Sequence, residues 1–70
     1  MRVFEELADN LAKDAIELSN KLGNDYIIYE TAKVLVATSS TKEGAYMTSI
    51  RVRLAERRAR RFLDEKAQGS

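Results

Sequence analysis

Residues 30–54 read ETAKVLVATSSTKEGAYMTSIRVRL, and the fold turns on whether they form a hairpin or parts of two helices. Two features favour strands. The run KVLVAT at 33–38 is rich in β-branched residues, which suit a pleated, half-buried surface. Further on, Tyr46, Thr48, Ile50, Val52 and Leu54 alternate with Met47, Ser49, Arg51 and Arg53, a period of two. With SSTKEG between them as the turn, an α+β fold with a hairpin at about 33–54 is the minor alternative. The helical reading draws on the flanks. Residues 30–37 also fit a helix, and RVRLAERRARRFLDEK at 51–66 consists largely of strong helix formers without interruption. No proline occurs anywhere, so nothing forces a break. The reading adopted is all-α: one domain over 1–70, with helices at about 2–22, 25–39 and 47–67 and a short tail at 69–70.

Upstream, the first segment has clear helical periodicity. Phe4, Leu7, Leu11, Ala15, Leu18 and Leu22 step by three or four and form the expected core stripe, flanked by Val3, Ala8 and Ala12. Asp9 with Lys13, and Glu17 with Lys21, are acid-before-base pairs one turn apart. Gly23 is the expected left-handed stop, and Asn24 or Asp25 the cap of the next helix. That second segment is apolar nearly all round, with only Glu30 and Lys33 clearly polar. Such a helix needs cover on most sides, which two neighbours in a 70-residue chain struggle to give. A homo-oligomer, a dimer first, follows as an expectation, with Ile28, Val34, Leu35, Val36 and Phe62 as self-association residues.

In the third segment, Val52, Ala55, Ala59, Phe62 and Leu63 form a heptad-like apolar line. They are the expected face toward a neighbouring helix, whose close approach the two alanines allow, and the helix is capped upstream by Thr48 or by a residue of STKEG. Ile50 and Leu54 point elsewhere, among the arginines, as a second contact surface. Tyr46 is expected at a core or core-edge position, Tyr26 with its hydroxyl in water, and the loop SSTKEGAY polar and mobile. A helix-turn-helix signal around Ala32 and TSST is weak, because Lys42 stands where an apolar residue is wanted.

Charge is split along the chain. Residues 1–30 carry seven acids against three bases, and residues 31–70 carry nine bases against four acids. The halves are thus near −4 and +5 within a net charge of +1, so they can neutralise each other or face different partners. Six arginines (Arg51, Arg53, Arg57, Arg58, Arg60 and Arg61) fall within eleven residues. Arginine's planar fork suits carboxylates and phosphates. Three readings follow: pairing inside the fold, docking onto an acidic protein surface, or tracking a nucleic-acid backbone as a dimer.

Chemistry has little to work with. Cysteine and histidine are both absent, which removes the commonest catalytic groups and the usual zinc ligands. The acid pairs Glu5 with Asp9 and Asp14 with Glu17 read as solvated charge, since di-metal helical sites add a histidine. The expectation is a non-enzymatic, cofactor-free regulator, adaptor or inhibitor without a small-molecule substrate. With no apolar run near ~20 residues and an N-terminus that turns acidic at once, a cytoplasmic protein without membrane contact is expected.

Overall fold

The computed structural model describes residues 3–69, the Phe4 side chain excepted, and over that range the chain is three helices without a strand. Helix α1 spans Val3–Leu22, α2 Tyr26–Thr38 and α3 Ser40–Gly69. The place of Phe4 in the first stripe, and the start of that helix at residue 2, fall outside the described residues.

The hairpin does not form, and the reason is local. Ser39 is the one extended residue between α2 and α3, with φ −163° and ψ 110°. Its amide donates back to the Leu35 carbonyl at 2.7 Å, closing α2. Its hydroxyl accepts from the Lys42 amide at 3.2 Å, and its carbonyl from the Glu43 amide at 3.1 Å. Ser39 is therefore the N-cap of α3, and the polar run after it is helix rather than loop. The third helix begins seven residues earlier than its apolar pattern suggests, and neither Thr48 nor the STKEG residues cap it.

The first connection is as short. Gly23 takes φ +67°, the left-handed conformation expected of it, and the Asn24 amide donates to the Ser19 carbonyl at 3.0 Å. That is the Schellman closure of α1. Asn24 Oδ1 then accepts from the Tyr26 amide at 2.8 Å, while Asp25 makes no side-chain cap. Asp25 instead accepts from the buried Ser19 hydroxyl at 3.0 Å.

Side-by-side contacts fix the topology. Glu5 lies beside Thr48 and Ser49, Asp9 bonds Arg53, Glu17 lies beside Arg57, and Asn20 beside Arg60. Both residue numbers rise together, so α1 and α3 run parallel. Helix α2 returns between these two: Leu35 meets Leu7 and Leu11 at one end, and Ile28 shares a cleft with Ile16 and Leu54 at the other.

The core is thin and made largely of small residues. Ala8, Ala12, Ala15 and Ile16 of α1, Ile28 and Ala32 of α2, and Tyr46 and Ile50 of α3 are buried. Alanines let the helix axes approach closely, and the fully buried Tyr46 fills the space between them. Its hydroxyl donates to the Ile28 carbonyl at 2.8 Å. Burial pushes the Tyr46 pKa up, partly offset by the Thr31 hydroxyl beside it.

Two faces expected from sequence are therefore corrected. On α1 the alanine edge faces inward, leaving Leu7 63% and Leu22 59% exposed. On α3 the relation is reversed outright: Ile50 is buried and Leu54 packs against the core, while Val52, Phe62 and Leu63 face water. The reason is Tyr46. Once α3 starts at Ser40, Tyr46 and Ile50 lie one turn apart on the inward side. Val52 and its heptad mates are then carried to the far side.

The molecule is elongated. Its Cα envelope measures 49 × 31 × 13 Å, and the radius of gyration is 14.1 Å against about 11 Å for a compact chain of this length. Its accessible surface is 5610 Å², where a compact monomer of 7.9 kDa exposes roughly 4,400 Å². No helix among the described residues is long and apolar enough to cross a membrane.

Candidate interaction surface

Helix α3 has 30 residues and α1 has 20, so α3 runs past the end of its parallel neighbour. Asn20, near the end of α1, lies beside Arg57, Arg60, Arg61 and Asp64, and the α3 residues from Ala55 to Gly69 are exposed. The arginine-rich stretch thus straddles the end of the bundle. This position sorts its six members.

Arg53 serves the fold. Its Nε and Nη2 donate to the two carboxylate oxygens of Asp9 at 2.9 and 2.7 Å, a fork-to-fork pair joining α3 to α1. The Arg53 guanidinium holds the Asp9 carboxyl below its usual range, and Asp9 in turn raises the Arg53 pKa. Arg57 meets Asn20, whose amide oxygen, turned toward the guanidinium, accepts from both terminal nitrogens at 2.8 Å. Arg60 donates to Glu56 on its own helix at 3.0 Å, an exposed pair that adds little stability. Arg51, Arg58 and Arg61 have no hydrogen bond or ion pair to any described residue. Lys13 acts on Asp9 through its charge, as the spacing suggests, while Arg53 reaches the carboxylate in two-toothed geometry.

Opposite the core, Val52, Ala55, Ala59 and Phe62 continue the spacing of three and four begun at Thr48 and completed at Lys66, with Leu63 adjoining. Val52, Phe62 and Leu63 are 62%, 57% and 63% exposed. Lys66 lays its ammonium over the Phe62 ring at 5.6 Å. Arg51, Arg58 and Glu65, seven residues apart, line one flank of this stripe, and Glu56 lines the other. The stripe is a heptad seam without a partner helix.

The self-association residues expected on α2 divide. Ile28 is buried in the chain's own core, and Leu35 is half-buried against Leu7 and Leu11. Val34 and Val36 are exposed on α2, as Phe62 is on α3. Sequence reasoning underrated Val52, Leu63 and Glu65 as surface residues. The heptad spacing was visible, but nothing in it told which side the bundle would take. Among the hollows formed by described residues, the apolar one at Leu7, Ala8, Leu11, Leu35 and Lys42 holds about 190 Å³, below the ~300 Å³ where ligand pockets begin. A wider one of about 480 Å³ is an open trough between Asn20, Arg57, Arg60, Arg61 and Asp64. Comparison with protein-family models, with curated proteins and with solved structures finds no match.

Proposed function

We propose that this protein is a non-enzymatic binding module, a small regulator or adaptor, that works by protein–protein contact and self-association with α3 as its contact helix. The observation that carries this is the outward apolar seam from Val52 to Leu63 on an elongated, thin-cored chain. Exposed apolar area in a continuous line, rimmed by charge, is the form a helix-docking surface takes. Sedimentation of the wild type and of Phe62→Glu over a range of concentrations tests it. The wild type should associate reversibly and the variant should stay monomeric with unchanged helicity. Two indistinguishable monomers at every concentration would sink the self-association.

A second reading, binding to a nucleic-acid backbone, draws on Arg51, Arg58 and Arg61, which have no partner among the described residues. Three phosphate contacts give only about a 40-fold loss of affinity from 50 to 200 mM salt, against roughly a thousandfold or more for six. Anisotropy of labelled mixed-sequence DNA and RNA separates the readings. No binding at 50 mM salt leaves the protein-contact reading alone.

A further inference from the structure

The seam on α3 is self-complementary when a second copy lies against it in the opposite direction, and this decides its occupant. Resting on the self-association reading, we propose that two copies pair through their α3 helices, antiparallel, with the twofold axis beside Arg57. In that register Val52 faces Phe62 of the second copy, Ala55 faces Ala59, and Thr48 faces Lys66. Each large residue meets a smaller one, and the alanines at the centre let the axes come close. Arg51 then lies beside Glu65 of the second copy, twice by symmetry, on the flank where both stand unpaired among the described residues. The parallel arrangement instead stacks Lys66 on Lys66 and Phe62 on Phe62. It also sets Arg51 against Glu56, which already accepts from Arg60 at 3.0 Å.

The seam is small. From Thr48 to Lys66 it is about 27 Å long, and at about 10 Å wide it falls short of the ~800 Å² per partner of a standard interface. A footprint of this size suits a reversible pair rather than an obligate dimer. Its unfavourable elements are the like-charge contacts at the axis, Arg58 with Arg58 of the second copy on one flank and Glu56 with Glu56 of the second copy on the other.

Charge exchange at exposed positions tests this without touching the core. Arg51→Glu and Glu65→Arg should each weaken self-association roughly tenfold or more, since each places two like-charged pairs in one dimer. The double variant R51E/E65R should restore the wild-type constant, and Arg58→Ala should tighten it. Circular dichroism confirms that each variant keeps its helices. Rescue of R51E by Glu56→Arg in place of Glu65→Arg would overturn the antiparallel direction. Weakening by Arg58→Ala would overturn the register, placing Arg58 rather than Arg51 against Glu65. Dimers indifferent to all four changes would overturn the α3 seam while leaving self-association standing. Monomers throughout would overturn both.

Discussion

Replacing Tyr46 with Phe removes the hydrogen bond that Tyr46 sends across the core. The ring is fully buried and its hydroxyl donates to the Ile28 carbonyl at 2.8 Å, so the variant keeps the ring's packing and loses that donor, along with the hydroxyl that Thr31 sits beside. A buried hydrogen bond contributes about 1 kcal/mol net. The stranded carbonyl adds little, since it sits within α2 and can accept from the helix. Unfolding entropy of about 2.1 cal/mol/K per residue gives roughly 0.15 kcal/mol/K for this chain, so the melting point should fall by about 7 °C. Tyr46→Ala should cost about 3–5 kcal/mol, most of what a chain this short has to lose. Thermal melts at neutral pH read both. Alkali supplies an independent check. Because burial raises the Tyr46 pKa, the unfolded chain releases that proton first, so stability falls as pH rises above ~10 toward the higher folded value. Tyr46→Phe should remove this loss. A Phe variant as stable as the wild type, with its alkaline loss intact, would refute the central role given to Tyr46.

Asp9→Asn should destabilise by about 0.5–1 kcal/mol, the figure for a two-toothed pair still partly open to solvent. A double-mutant cycle with Arg53→Ala should recover most of it as coupling. Arg53 lowers the Asp9 pKa, so this contribution is present above the unfolded value near ~4 and is lost as pH falls through the folded one. The Asn variant should show a shallower acid limb in urea melts. Ala12→Leu, at a fully buried helix contact, should cost about 1–3 kcal/mol or more by prising α1 from its neighbours. Gly23→Ala meets no atom within 4 Å, so its cost should be that of positive φ alone, about 1 kcal/mol by thermal melting.

Much of the fold was legible in the residues. The stop of α1, the glycine that makes it and the helical character of the second segment all follow from local chemistry. What the residues left open is which face of each helix turns inward. On α1 both the leucine line and the alanine line have helical period, and only packing chooses between them. The choice goes to the alanines because they let the helices close around the Tyr46 ring and the isoleucines Ile16, Ile28 and Ile50. The start of α3 was hidden for a different reason. Ser39 to Glu43 is polar enough to read as loop, yet one serine cap turns it into the first turn of a 30-residue helix. The arginines show the same mixture. Their number was plain from the sequence, but the division into Arg53, Arg57 and Arg60, with partners among the described residues, and Arg51, Arg58 and Arg61, without, depends on the face each takes on α3 and on what lies opposite it.

The absence of cysteine makes the most direct measurement simple. Single cysteines placed by Ile50→Cys, Val52→Cys and Ala59→Cys can be timed for thiol modification in dilute and in concentrated solution. The account predicts fast modification at 52 and 59 in dilute protein, slowing as concentration rises, and slow modification at 50 throughout. Fast reaction at 50 with protection at 52 and 59 in dilute solution would show that α3 faces the other way, and the account would fall with it.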